Sequence, residues 1–396
     1  MLSAAIILAI LAGAAVQLVP AVRSSRLWRA TVTPLASIIG SGFLILGPVM
    51  SASFGAWAPL AMLALCALAW AFGWAIRYNI ACRETGLSHM PATLEIIASW
   101  SLAFSYIISV TYYLNLLGAF GVRLTPFDDQ TSARILTSIV LLAVLIIGWW
   151  KGFRALEALE RISVGLKLSI IAGLLVGLAI VFGDRAGAGE LAFNAPKETG
   201  WGAVTLLFGL IVTVQGFETS RYLGEAYDAR MRISSMRLAQ AVSTLIYVLY
   251  IGLFSYLFSV SELKVTETAI IDLIGLVAPV LPLFLIAAAL SSQFSAAVAD
   301  TGGSGGLFQE VTRGLFSEKR AYVLVGACGL VLTWAANVFQ IISYASRAFA
   351  LYYGLQAAIA AVAAWRQAQK VHALMFGLLA ILGIAITILG VPVEGD

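Results

Sequence analysis

The sequence predicts an all-α polytopic membrane protein of about twelve transmembrane helices. Three observations predict it. Of its 396 residues, 61% are hydrophobic and 11% are charged, a balance that no soluble domain of this length carries. The apolar residues gather into twelve runs long enough to cross a bilayer. The loops between them alternate in charge: one alternate set holds 17 of the 24 Lys and Arg residues, the other holds five.

The runs lie near 2–20, 31–53, 57–80, 97–121, 132–151, 162–183, 201–220, 237–260, 270–302, 321–340, 342–364 and 371–391, numbered here span 0 to span 11. Span 0 lacks the basic start of a signal peptide, and Arg23, Arg26 and Arg29 follow it, as expected of an uncleaved span with its N-terminus outside. The basic-rich loops should be cytoplasmic, so both termini are expected outside. Cysteine labelling from the outer side should then reach a probe near Glu394 and miss one near Arg232. The reverse result would overturn the orientation.

Span 1 carries Gly40-Ser41-Gly42 about halfway along. Glycine costs about 1 kcal/mol against alanine in a helix interior, and serine can bond backbone locally. The cluster is either a helix break or a place where two helices pack closely. A break at bilayer depth is tolerated only where it is buried in protein or lines a cavity. Span 3 carries Tyr106, Ser109 and Tyr113 on one helical face, either a pocket lining or ordinary packing. Span 5 carries Lys167, and span 10 carries Arg347. Span 6 contains Val214-Gln215-Gly216-Phe217-Glu218-Thr219, a second glycine with polar neighbours inside an apolar run. Span 8 holds Ser291, Ser292 and Ser295, with Asp272 and Asp300 towards its two ends, where snorkelling would explain both acids. Intramembrane charge is otherwise a functional hypothesis by default.

Five spans run from 1 to 5 and five from 6 to 10. An odd number per half inverts the second half in the membrane. Two interrupted helices heading two inverted halves point to a binding site at the bilayer midplane. The expected divisions are 1–29, an extra N-terminal span with a basic cytoplasmic loop; 30–184, the first half; 185–365, the second half; and 366–396, a final span.

Ile39-Gly40-Ser41-Gly42-Phe43, Gln215-Gly216-Phe217-Glu218 and Val164-Gly165-Leu166-Lys167-Leu168-Ser169, in that hydropathy order from residue 31 to 391, resemble the amino acid–polyamine–organocation (APC) superfamily. The resemblance is to an outlying, bacterial amino acid permease-like family. It implies a LeuT-type five-plus-five inverted repeat, here with one extra helix at each end. It also implies a secondary transporter of amino acids, or a related small zwitterion, in the bacterial inner membrane. The substrate carboxylate would meet the backbone N–H groups of Gly40, Ser41 and Gly42. Its ammonium would meet carbonyls near Ile38, Ile39 and Gln215, beside Gly216. Phe217 would be an aromatic lid, and Glu218 would support the break from behind. Tyr106, Ser109 and Tyr113 would line the pocket.

In sodium-coupled LeuT-like proteins a sodium ion is held by helix 1 carbonyls and helix 8 hydroxyls. Lys167 lies at a similar depth on the inner half to Ser291 and Ser292, so a lysine ammonium can take that place. The resemblance therefore implies protons as coupling ion, with sodium as the alternative. A non-transporting membrane sensor or assembly subunit on the same fold is a reading of a different class.

No enzymatic chemistry is indicated: the sequence shows no Ser-His-Asp set, no phosphate loop and no metal-ligand spacing. Cys66, Cys82 and Cys328 lie in or beside apolar runs and read as packing residues. His89 and His372, the two histidines, fall in short polar loops. No cofactor or nucleic acid is expected. The expected partners are a small-molecule substrate and the lipid bilayer, and the oligomeric state is not written in the sequence.

Overall fold

The computed structural model describes residues 1–40, 42–84, 92–151, 157–224 and 226–395, and among them every regular element is helical. Span 0 is α1 (Leu2–Leu18), followed by a single turn at Pro20–Arg23. Span 1 is two half-helices, α2 (Arg26–Ile38) and α3 (Gly42–Phe54). Ser25 caps α2 by accepting from the Trp28 N–H at 3.2 Å. Spans 2 to 5 are α4 (Ala58–Glu84), α5 (Ala92–Val122), α6 (Gln130–Lys151) and α7 (Glu157–Ala188).

Span 6 opens as α8 (Gly200–Gly209), then leaves the α-helix altogether. A 3₁₀ turn covers Ile211–Val214, Gln215 is extended, Gly216 is left-handed at φ 114°, and a second 3₁₀ segment covers Phe217–Tyr222. The break is therefore wider than the expected Gln215–Glu218 stretch. Its start falls on four β-branched residues, Ile211 to Val214, which are stiff in a helix and hold it weakly. Span 7 is α9 (Ala229–Phe254), begun a full two turns early because Asp228 accepts from the Met231 N–H at 2.7 Å.

The run expected as a single span 8 is two helices, α10 (Ala269–Val277) and α11 (Leu281–Val311), divided at Ala278–Val280. Ala278 turns extended and Pro282 opens the new helix, where a missing N–H costs nothing. Asp272 thus belongs to the short α10, where its carboxylate pairs with Arg123 at the end of α5. Because α11 runs on to Val311 instead of ending near 302, Asp300 sits about 16 Å from the helix end and is buried, not snorkelling. The last elements are α12 (Glu318–Ala335), α13 (Val338–Arg366) and α14 (Lys370–Leu389).

Among the described residues, eight helical stretches are long and apolar enough to cross a membrane. The remaining spans fall outside that measure for stated reasons: α1 and α8 are short, α2 is a half-helix, and α12 begins on three charged residues.

The extra first helix docks on α7. Gly13 lets α1 approach the Ser169 backbone, Gly173 of α7 receives Ile10, and Gln17 donates to the Gly165 carbonyl at 2.9 Å. The last helix packs on α13 through Gly354 and Gly383, and the Arg347 Nε donates to the Thr387 carbonyl at 2.6 Å. Arg347 is thereby a tie between two helices.

Candidate functional site

Two helix breaks meet at the centre of the bundle, backbone against backbone. A Cβ on Gly42 would come within 2.6 Å of the Thr213 Cα, and one on Gly216 within 2.7 Å of the Ile38 nitrogen. Side chains at either position would hold the two half-helices apart. Gly216 is also the residue whose positive φ turns the chain into the second half of span 6, a conformation glycine adopts without strain.

Breaking a helix at this depth frees carbonyls that no water can reach, so they must be paired internally. The Tyr247 hydroxyl lies 2.7 Å from both the Ile38 and the Thr213 carbonyl oxygens, one from each break. The Gly40 carbonyl accepts from the Ser292 hydroxyl at 3.0 Å, and the Gly40 N–H donates to the Ser37 carbonyl at 3.1 Å. On α13, Ser346 accepts from the Val212 N–H and donates to the Gly209 carbonyl. In this state the chain's own side chains and turns pair the Ile38 carbonyl and the Gly40 backbone groups. Ser41 lies outside the described residues. Ile39 is fully buried and its N–H continues the helix to Leu35.

Glu218 is fully buried behind the second break. One carboxylate oxygen accepts from the Gly216 N–H at 2.9 Å and from the Tyr353 hydroxyl at 2.8 Å. Phe217 stacks on the Tyr353 ring at 4.9 Å between centroids, inside an aromatic cluster that also holds Phe72 and Phe349. It is thus a packed side chain here. We expect Glu218→Gln to keep much of its substrate affinity, because an amide oxygen can still accept both bonds, but to transport more slowly. Glu218→Ala should lose about 3 kcal/mol of stability by orphaning two buried donors. Transport rates in proteoliposomes across a pH series check this, and an unchanged Glu218→Gln rate at every pH would argue against any role.

Lys167 reaches across from α7, about 15 Å along that helix. Its ammonium donates to the Ala36 carbonyl at 2.8 Å and to the Ser292 hydroxyl at 3.1 Å. Ser292 in turn holds the Gly40 carbonyl, so the lysine, the α11 serine, the last turn of α2 at Ala36 and the break at Gly40 form one chain of bonds. Beside it lies a cavity of about 20 Å³, bounded by Ile39, Gly40, Phe43, Leu44 and apolar residues of α7 and α11. That is room for about one water molecule. Ser291 does not join the lysine; it donates to Ser163 at 2.7 Å, and Ser295 lies beside the same hydroxyl.

The stripe on α5 divides its work. Ser109 donates to the buried Asp300 of α11, and Tyr113 accepts from the Gln215 amide at 2.8 Å. Tyr106 packs over Gly303 and against the Phe349 ring. Sequence reading missed Tyr247, Tyr353 and Ser346, because an apolar span with a tyrosine or serine does not announce which face it turns inward. Among the described residues no group of three or more His, Cys, Asp or Glu side chains is placed to hold a metal ion.

At one end of the bundle, Glu95 pairs with Arg83 at 2.6 Å and Arg221 at 3.6 Å, while Arg232 pairs with Glu84 and donates to the Arg221 carbonyl. These contacts tie the ends of spans 2, 6 and 7 to α5.

A family profile described as APC superfamily transporter matches residues 20–390. A protein of Aquifex aeolicus (strain VF5), described as uncharacterized, is 41% identical over 385 residues, which cover 95% of this chain and 93% of that protein. Three solved structures share the fold. Mhp1, a nucleobase-cation-symport-1 family transporter in a closed conformation, superposes with a TM-score of 0.53 at 13% identity, covering 91% of this chain and 90% of that one. A Na⁺-coupled sialic acid symporter gives 0.53 at 16% identity, covering 100% and 98%. A mutant manganese transporter of Eremococcus coleocola gives 0.57 at 12% identity, covering 92% and 87%.

Proposed function

The chain belongs to the APC superfamily of transporters, a secondary transporter of the LeuT-fold kind, and from that premise we propose that it moves an amino acid or a related small zwitterionic solute together with protons. The observation that carries the coupling half is Lys167. Its ammonium sits between a carbonyl of the first break and a hydroxyl of α11, the ligand set that the family resemblance assigns to a sodium ion. A lysine is a cation that stays attached to the protein and exchanges a proton instead of leaving. Loss or gain of that proton would alter the hold on Ala36 and Ser292, and through Ser292 on Gly40. That links protonation to the first break.

The substrate half is supported by the breaks themselves. When they separate, the carbonyls of Ile38 and Thr213 lose their shared tyrosine, and the N-terminal turn of α3 is uncovered. Freed carbonyls suit an ammonium, and a half-helix N-terminus suits a carboxylate. In the state described here the two breaks are in contact. Both termini outside and residence in the bacterial inner membrane belong to the same reading.

Uptake of radiolabelled amino acids into proteoliposomes tests it. An inward proton gradient should drive accumulation, and an inward sodium gradient without a proton gradient should not. Accumulation on sodium alone would replace the coupling ion. No uptake or exchange of any amino acid under either gradient would favour a non-transporting role.

A further inference from the structure

The centre of the bundle holds two glutamine side chains with hydrogen-bonding capacity to spare, one wholly and one in part. Gln293 of α11 is fully buried, and among the described residues neither its amide nitrogen nor its amide oxygen has a hydrogen-bond partner. Gln215, in the second break, is 2% exposed; its amide nitrogen is spent on Tyr113, and its oxygen has no partner among the described residues. Buried amides are ordinarily paired, because leaving one dry and unpaired is costly.

Their placement brings both to one region. Gln293, Asp300 and Ser304 are seven and eleven residues apart, so they lie on one stripe of α11. Asp300 and Ser304 both bond to α5, through Ser109 and the Ala103 carbonyl. Gln293 continues that stripe two turns further, facing α5. Its neighbour Ser292 holds the Gly40 carbonyl, which sets Gln293 level with the first break. Tyr113, one turn beyond Ser109 on α5, is the partner of Gln215. Both amides therefore face α5 at the level where the two breaks meet.

We propose that Gln293, with Gln215, reads a planar N–H/C=O edge on the transported solute, a carboxamide or urea group. A glutamine amide offers two donors and an acceptor side by side. A carboxamide or urea edge answers it with an acceptor and a donor, forming two parallel hydrogen bonds, and leaves a further N–H for the Gln215 oxygen. A carboxylate of the same shape has no donor and would set oxygen against oxygen. An aliphatic group would leave every amide atom unpaired. Sites built to hydrogen-bond a buried N–H or O–H reject analogues lacking it far more strongly than apolar pockets reject a missing methylene. The proposal rests on the site lying between the breaks, as above, and adds the substrate class. The edge can belong to an amino acid side chain or to a neutral cyclic urea.

The test is equilibrium binding to the purified full chain in detergent, with no gradient present, using L-glutamine, L-citrulline, L-glutamate, L-leucine and 2-imidazolidinone as probes. L-glutamine or L-citrulline, or 2-imidazolidinone, should bind at least about 100-fold tighter than L-glutamate and L-leucine. Gln293→Leu should erase that preference to within a few-fold. The ligand-free Gln293→Leu protein should melt higher than the wild type, since it loses two orphaned buried polar atoms. That stability gain separates a recognition role from a structural one, which would lower the melting temperature. Gln293→Asn, which keeps the amide on a shorter stem, should retain part of the preference. Selective binding of 2-imidazolidinone alone would keep this inference and remove the amino acid reading. Leucine binding as tightly as the amides, a preference that survives Gln293→Leu, or no binding by any of the three amide and urea probes would overturn it. A proton gradient that fails to drive uptake leaves this result untouched, because the binding measurement involves none.

Discussion

Gly216→Leu should weaken substrate binding by roughly 100-fold or more and leave a folded membrane protein. Gly216 holds φ at 114°, where an L side chain is strained, and its missing Cβ faces the Ser37 side chain at 2.6 Å and the Ile38 nitrogen at 2.7 Å. Strain at such a backbone position costs about 1–3 kcal/mol, and overpacking a well-filled site costs about as much again. About 3 kcal/mol of that falling on the geometry of the breaks is roughly a 100-fold loss of affinity. Gly42→Leu should do the same from the other side, because its Cβ would meet the Thr213 Cα at 2.6 Å. The fold survives because the rest of the bundle, including the packing of α1 on α7 and α14 on α13, is remote from both positions. Gly187→Leu is the control, since a Cβ there meets nothing within 4 Å. Binding is read by calorimetry or thermal shift with a panel of amino acids. If binding survives both Gly42→Leu and Gly216→Leu, the site is not between these breaks.

The two breaks were legible because glycine inside an apolar run is a local signal with a local cause. Gly40, Gly42 and Gly216 each stand where the backbone leaves the helix or approaches another backbone. The division of residues 270–302 was not legible. Ala278-Pro279-Val280-Leu281-Pro282 is apolar throughout, so hydropathy passes over it, and proline at a helix start looks the same as proline inside a run. That one omission also misplaced Asp272 and Asp300 as two ends of a single helix. Lys167 stood out by charge alone. Its partners did not, because Ala36 offers only a backbone carbonyl and Ser292 is one of three serines in five residues. Tyr247 and Gln293 were invisible for a different reason. In a long apolar helix of weak periodicity, the face that turns inward is decided by neighbours far away in the chain.

Lys167→Ala should remove uptake driven by a pH gradient while leaving substrate exchange. The ammonium it deletes is buried and shared between Ala36 of the first half-helix and Ser292 of α11. Without it, the small cavity beside Gly40 is enlarged by a lysine side chain, and water can enter to bond the Ala36 carbonyl and the Ser292 hydroxyl. The break therefore stays paired and the protein folds, at a cost of about 1–3 kcal/mol. What water cannot supply is a protein-bound charge that changes when a proton arrives or leaves. A gradient of protons then has nothing to act on, and accumulation above equilibrium falls to background, while exchange, which needs only the alternation of the two breaks, continues. Lys167→Arg should behave like Lys167→Ala in accumulation, because a guanidinium keeps the cation but does not give up its proton. That pair of variants separates a role for charge from a role for proton exchange. A Lys167→Arg protein that accumulates substrate on a proton gradient, or wild-type uptake that requires sodium, would leave Lys167 a fixed structural cation and return the coupling role to an ion held by Ser292 and the first-break carbonyls.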